Sequence, residues 1–400
     1  MSKLVFQDLS FEEKDSKIIV TFLKIFTAEI NKSDMSQLGD FKIRENSIEF
    51  QETSEAKANR KFNFLLANAF QNLTNKITKK KTIYIHQNSG IPLIGNNAFG
   101  IIDRDTNILE LRIITGCNLN CIYCSVDQDQ RPVDFVVEKD YLINEIKKIV
   151  KRKNINSIEC HIGTQGEPLF YAPLTDLIKD LSKIKQIKRI ALDTNGTLLT
   201  EKKVDELVNS GLTRFCFSIN AVNKDLSKKI AGTEYNIKHI LTLLSHISKK
   251  KVELILTPVW IPGINDKEIP KLIQLSKQLN CKIGIQNFLN YDFGKNPVKQ
   301  MPWEEFIEKM KSLEKEYNVH LLFDFKKDFD IIPTSHLEKP FKKGNIVKAM
   351  IVCPGRLKGS MIAAANNRNI TIPNCKMPFN TTIKLRITRS KHNIFFGIVL

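Results

Sequence analysis

At 400 residues the chain is too long for one ordinary core, which predicts two or three domains. Hydrophobic residues at 42% and charged residues at 26% are the balance of a globular protein in water, and no apolar run approaches the ~20 residues of a membrane span, which excludes a membrane partner. The net charge of +18 points instead to an anionic one. The charged N-terminal stretch has no signal-peptide core, and three of the eight cysteines crowd into Cys117–Cys124 rather than forming a disulfide framework. A reducing cytoplasm is the expected compartment.

Residues 1–100 read as an α+β region. It carries a hairpin around Phe41–Gln51, an amphipathic helix around Ala56–Leu73 and a strand at Thr82–His86. The lysines at 76, 79, 80 and 81 read as a solvated loop, and no role is legible for the region as a whole.

From Ile108 the rhythm becomes alternating short β-branched runs and amphipathic helices. Strand-like runs fall at Leu109–Ile114, Ser157–Ile162, Arg189–Leu192, Thr213–Ile219, Val252–Pro258 and Lys282–Gln286. The helices between them place apolar side chains three and four apart, as in Leu142, Ile146, Ile149 and Leu174, Leu177, Ile178, Leu181. Parallel neighbours need crossovers, so the pattern predicts an α/β fold, a partial (β/α)6 barrel over 101–325, with its chemistry at the carboxyl ends of the strands. A helix near Trp303–Lys315 and a strand at Val319–Phe323 close this region. Residues 326–343 read as a linker.

The final stretch, 344–400, holds five strand candidates and no helix, which predicts a small all-β barrel of the OB type. From Lys339 to Leu400 there are twelve Lys and Arg and no Asp or Glu. Solubility is served by interspersed signs, so an uninterrupted cationic stretch predicts a polyanion partner. Alternation along Lys384, Arg386 and Thr388 sets polar side chains on one face, with Ile383, Leu385 and Ile387 on the other. Phe395 and Phe396 are candidates for stacking bases, with a core role the commoner alternative.

The chemistry lies in the loop after the first barrel strand, where TGCNLNCIYC places Cys117, Cys121 and Cys124 together. Thiolates suit iron–sulfur clusters, and three of them leave one iron of a cubane open. Zinc would ask for a fourth ligand, and no second Cys/His pair of suitable spacing is present; a redox C-x-x-C would not need the third cysteine.

The C-x3-C-x2-C spacing, with the aromatic Tyr123 before the third cysteine, resembles the radical S-adenosylmethionine (SAM) superfamily. That resemblance implies a [4Fe–4S] cluster on Cys117, Cys121 and Cys124 and SAM chelated at the open iron. It also implies an electron donor, whose one electron yields a 5′-deoxyadenosyl radical. Later motifs continue it. Gly166 and Glu167 stand where relatives carry G-G-E-P, with Gln165 in place of the first glycine. Thr194, Asn195 and Gly196 match T-N-G, and Ser218 and Asn220 match the fourth strand end. These imply cofactor contacts by Tyr123, Gly166, Glu167, Thr194, Asn195, Ser218 and Asn220. The loop from Trp260 to Asp266 resembles one that packs against adenine, though Asp266 reads equally as a helix N-cap. His161 reads as a hydrogen-bonded core residue and Cys160, Cys216 and Cys281 as inert thiols. No catalytic residue is assigned.

The C-terminal stretch, through NITIPN at 369–374 and TIKLRITRSK at 382–391, resembles a TRAM domain. This implies RNA contacts by Lys384, Arg386, Arg389 and Lys391. The combined expectation is a radical SAM enzyme that modifies a structured RNA, tRNA first among the candidates. Methylthiotransferases share the layout but need three more cysteines on the N-terminal side, and none precedes Cys117. Two alternatives stay open: radical modification of a peptide or protein, and an RNA-binding protein whose cluster is structural or regulatory.

Overall fold

The computed structural model describes residues 2–163 and 165–400. Six parallel strands stand in chain order across one open sheet: β1 (Ile108–Arg112), β2 (Ile158–Ile162), β3 (Ile187–Thr194), β4 (Arg214–Phe217), β5 (Glu253–Leu256) and β6 (Lys282–Ile283). Gly100–Asp103 adds an antiparallel strand beside β1. Helices on the outer face cross between strands, among them Lys139–Lys153, Leu174–Ser182 and Ile237–Ile247, whose apolar stripes are buried. The partial (β/α)6 barrel expected from the alternation is therefore present.

Because side chains alternate along a strand, one set faces the helices and the other faces the barrel interior. On β2 the helix-facing set is Ile158, Cys160 and Ile162, all buried. The interior set is polar. Arg214 Nη1 donates to Glu159 Oε1 at 2.8 Å and its Nε to Glu253 Oε2 at 2.6 Å, while Lys282 Nζ lies 2.9 Å from Glu253 Oε1. The short helix Phe325–Phe329, at the start of the stretch read as a linker, closes this floor. Its Phe329 carbonyl accepts from Arg189 Nη1 at 2.8 Å, and its ring lies under the Arg214 guanidinium at 5.2 Å. A strand expected at Val319–Phe323 does not form. The backbone amides of Leu321 and Leu322 are claimed by the Glu314 carboxylate, at 2.7 and 2.9 Å, instead of by a neighbouring strand.

The N-terminal region contains the expected hairpin (Phe41–Arg44 with Ser47–Phe50) and helix (Glu55–Phe70). It also contains an antiparallel sheet that sequence reasoning missed: Leu9–Lys14, Lys17–Phe22, Phe26–Asn31 and Thr74–Asn75. Its tight turns use Asp15, Leu23 and Lys24 at positive φ, where Asn-Gly or Asp-Gly would have signalled a hairpin. Thr82–Ile85 pairs in parallel with Asp134–Val137, just beyond the cysteine loop.

The C-terminal region is a closed barrel of β7 (Ile346–Pro354), β8 (Met361–Ala365), β9 (Arg368–Ile372), β10 (Thr382–Arg389) and β11 (Phe396–Val399), in the order β7-β8-β9-β11-β10. Closure removes the sheet edges, and the interior is apolar: Ile351, Ile370, Ile372, Leu385, Ile387 and Phe395 are all buried. The barrel docks on residues 92–96. Asn369 N donates to Ile94 O at 2.8 Å, and Asn369 Nδ2 donates to Pro92 O. Gly95, at φ +118°, is required there, because a Cβ would stand 2.4 Å from Asn369 O.

Candidate active site

The cysteine loop leaves the end of β1 and is pinned on three sides. Asn120 N and Ile122 N donate to Ala231 O and Ile230 O, both at 3.0 Å, and Lys295 N donates to Cys124 O at 2.8 Å. From the end of β2, Glu167 N donates to Gly116 O at 2.8 Å. Gly166 lets these two backbones meet, since a Cβ there would lie 2.5 Å from Gly116 O.

All ten residues singled out for the cluster and cofactor line one cavity of about 500 Å³ at the carboxyl ends of the strands: Cys117, Cys121, Cys124, Tyr123, Gly166, Glu167, Thr194, Asn195, Ser218 and Asn220. The Glu167 carboxylate is buried and ties two strand ends together. Oε1 accepts from Leu169 N (3.1 Å) and Thr194 Oγ1 (2.7 Å), and Oε2 from Asn195 N (2.8 Å). Burial outweighs these three hydrogen bonds and pushes its pKa up to about 7. Asn220 donates to the Tyr123 hydroxyl at 2.8 Å and accepts from Val259 N at 2.8 Å, so it holds the aromatic ring against the fourth strand end. Asn195 Nδ2 reaches Asn118 Oδ1 at 3.1 Å and lies 4.0 Å from Cys117 Sγ. Asp266 is not an N-cap: its carboxylate accepts from Trp260 Nε1 at 2.9 Å, and the N-cap position of the helix that follows is held by Glu268, whose carboxylate accepts from Val222 N and Asn223 N rather than from the helix.

The donor set fits a cubane better than a zinc ion. Thiolates around tetrahedral zinc sit about 3.8 Å apart. Among the described residues, the one His/Cys/Asp/Glu triad with all ligand atoms within 4.8 Å is His161, Asp193 and Cys216, so at least one pair of loop sulfurs is more widely spaced. A cubane needs that spread, because each sulfur holds a different iron. Burial pushes the Cys121 thiol up to about 12 and the Cys117 thiol upward as well, helped by Glu167. Thiols in such surroundings ionise against a bound cationic centre, and coordination supplies that centre. Cys117, Cys121 and Cys124 are thus the residues that would hold the cluster.

Three cavity residues escaped sequence reasoning as site candidates. His161 Nε2 and Asp193 Oδ1 are 2.7 Å apart, and Cys216 pairs in register with Asp193 on β4. Burial pulls the imidazole pKa down, yet Asp193 and Glu159 prevail and push it up to about 10, which favours the protonated ring. Cys216 is no ordinary core thiol, since it faces the cavity; burial and Asp193 hold its pKa well above the usual range. The available signal was position alone: all three lie within three residues of a strand's carboxyl end. Gln165 is also explained by its surroundings. Its side chain accepts from Arg356 Nη1 of the C-terminal barrel at 3.1 Å.

A partial (β/α)6 barrel with three cysteines on the loop after its first strand defines the radical SAM class, and residues 111–276 match the family model described as the radical SAM superfamily. The chain belongs to the radical SAM superfamily. It is similar to the uncharacterized protein MJ0103 of Methanocaldococcus jannaschii, 39% identical over 356 residues, covering 81% of this chain and 82% of the relative. It is also similar to a GTP 3′,8-cyclase of Clostridium botulinum, 31% identical over 236 residues, covering 56% and 71%. Among solved structures, TYW1 with a lysine-pyruvate adduct bound aligns with a TM-score of 0.41 at 21% identity, covering 58% of this chain and 80% of that one. As a radical SAM enzyme the protein uses a [4Fe–4S] cluster and SAM. Bound together, these supply a carbon-centred radical able to abstract hydrogen. No helix among the described residues is long and apolar enough to cross a membrane.

Proposed function

We propose that this radical SAM enzyme modifies a structured RNA, tRNA first among the candidates, with Cys117, Cys121 and Cys124 as the cluster ligands and a separate electron donor. The observation that carries the RNA reading is the outer face of the C-terminal barrel. Lys348 on β7 and Lys384 on β10 are direct cross-strand partners, both exposed, with Arg386 beside them on the same face. Like charges directly opposite each other destabilise a sheet, by an amount comparable to the ~0.2–1 kcal/mol that a good pair contributes. A run of phosphates would relieve that repulsion. Arg389 continues the face, its guanidinium 5.6 Å from the half-buried Phe396 ring, and Lys391 is exposed at the turn beyond. Phe395 does not stack on a ligand: it is in the barrel core, edge-on to Phe341 at 5.3 Å.

A salt titration of tRNA binding tests the reading. If about five phosphates are neutralised, log K should fall with log salt at a slope of roughly −3.5 to −4.5. Comparing nucleosides by mass spectrometry from cells with and without the gene should then show one modified nucleoside missing. A wild-type protein with no salt-dependent affinity for tRNA would rule the proposal out.

A further inference from the structure

Beside the cysteine loop, cations from three regions gather around two glutamines that line the cavity. Lys80, from the N-terminal region, donates to the Gln128 carbonyl. Arg131, just beyond the cysteine loop, places Nη1 3.5 Å from the Gln165 carbonyl, where Gln128 Nε2 also arrives at 3.5 Å. Arg356, on the β7–β8 loop, reaches the Gln165 side chain at 3.1 Å. Three nearby carboxylates are already engaged by side chains, and a fourth, Asp127, accepts from Asp129 N at 3.2 Å. Asp134 accepts from Arg131 (2.5 Å), Asn75 (2.9 Å), Thr78 (2.5 Å) and Thr115 (3.3 Å). Glu110 is held by Arg104 and Arg112, and Asp129 by Lys295 and Asn120.

Arg356 is left over. It is half-buried, carries five N–H donors and spends one of them, on a neutral amide. Among the described residues no carboxylate lies within 4.0 Å of it. Burial, then the neighbouring Arg112 and Arg131, pull its pKa down to about 10 against the opposing pull of the Cys124 thiolate. Arg131 and Arg112 are more than nine-tenths buried, and the Nε of each has no acceptor among the described residues. The loop that presents Arg356 is closed by its own hydrogen bonds: Gly355 N donates to Ser360 O at 2.8 Å, and the buried Ser360 hydroxyl donates to Leu357 O at 2.7 Å. Ordering a guanidinium among other cations with unsatisfied donors is unfavourable unless an anion completes the group.

We propose that Arg356, backed by Arg131 and Lys80, binds a phosphate group at the rim of the cysteine-lined cavity. Gln165 anchors Arg356 at this site through its side-chain carbonyl, a contact that glycine at that position would lack. The C-terminal barrel thereby does two jobs: its outer face grips the polyanion at large, and its β7–β8 loop sets one phosphate at the cavity mouth. The proposal rests on the RNA reading only for the source of the phosphate, a backbone phosphodiester; the terminal phosphate of a nucleotide has the same chemistry.

The test uses the full-length protein with reconstituted cluster, as wild type, Arg356→Ala and Arg356→Lys, with tRNA, GTP and SAM as separate probes. Arg356→Ala should weaken tRNA binding about ten-fold, the scale of a lost charge-assisted hydrogen bond, and lower the salt slope by about 0.9. Arg356→Lys should restore the slope but only part of the affinity, because an ammonium has no planar fork. Loss confined to tRNA assigns the site to a phosphodiester, and a matching loss for GTP assigns it to a nucleotide phosphate; either supports the phosphate site. Affinities for tRNA and GTP both within two-fold of wild type would overturn it. So would an equal loss of SAM binding, which would place Arg356 on the cofactor instead. If wild-type protein binds no tRNA, the RNA reading fails by itself, and the GTP arm still decides the phosphate site.

Discussion

The two barrels of this protein invert each other. The parallel barrel keeps its polar residues inside: Glu159, His161, Asp193, Arg214 and Glu253 project inward, and the cavity opens above them. The C-terminal barrel keeps an apolar interior around Ile351, Leu385 and Phe395 and carries its charges on the outside. An open parallel sheet can shelter polar groups because helices cover its other face and supply the apolar burial. A five-stranded closed barrel has room only for its own side chains, so any ligand must bind on its surface. Chemistry belongs to the first architecture and grip to the second.

The largest effect should follow from removing the three loop thiols together. Cys117→Ala, Cys121→Ala and Cys124→Ala combined should take bound iron from about four per chain to none, with loss of 5′-deoxyadenosine formation, while tRNA affinity persists. Iron analysis and a filter-binding assay on the same preparation check both halves. Retained iron would show that the cluster sits elsewhere.

Next in size is the interior ion-pair network. Arg214→Ala removes the cation that Glu159 and Glu253 share; breaking a buried pair costs about 3–5 kcal/mol, and Arg189, His161 and Lys282, which remain beside the two carboxylates, should hold the loss to the lower end of that range. Lys384→Ala on the outer face should stay within about 0.5 kcal/mol of wild type. Denaturant midpoints measure the contrast, and equal losses in the two variants would erase the distinction between the barrels.

A smaller, pH-dependent effect separates the interiors. The folded pKa of His161, about 10, lies above its ordinary 6.5, so the folded state binds the extra proton. Its stabilising contribution is therefore complete below pH 6.5 and vanishes as pH rises through 10. The difference in thermal midpoint between wild type and His161→Gln should shrink from pH 7 to pH 11. A difference that stays flat over that range would mean a neutral imidazole in the cavity.

The smallest effect on the fold, though not on binding, belongs to the cationic face. Changing Lys384, Arg386 and Arg389 together should lower the tRNA salt slope by about 2–3 and weaken different RNAs alike, since phosphate contacts position without specifying. Deoxyadenosine production without RNA should not change. A loss restricted to one RNA would mean that the face reads sequence.

Much of this is legible in the amino-acid sequence alone. The cysteine spacing, the T-N-G and G-E-P strand ends and the six-fold alternation are local patterns, and local patterns suffice because each motif is built by a few neighbouring residues. The excess of Lys and Arg after Lys339 is equally a property of the chain itself. What the tertiary structure alone decided are encounters between distant segments. His161, Asp193 and Cys216 meet because parallel pairing brings three strand ends side by side, although 55 residues separate the first from the last. Gln165 and Arg356 meet across 191 residues, because Asn369 docks the closed barrel on residues 92–96. The N-terminal meander stayed hidden for a related reason: its turns rely on tolerated positive φ at Asp15, Leu23 and Lys24, and the energy that holds them comes from the sheet rather than the turn residues. A sequence states what each residue can do within its own reach, and packing decides which of those capacities face the same space.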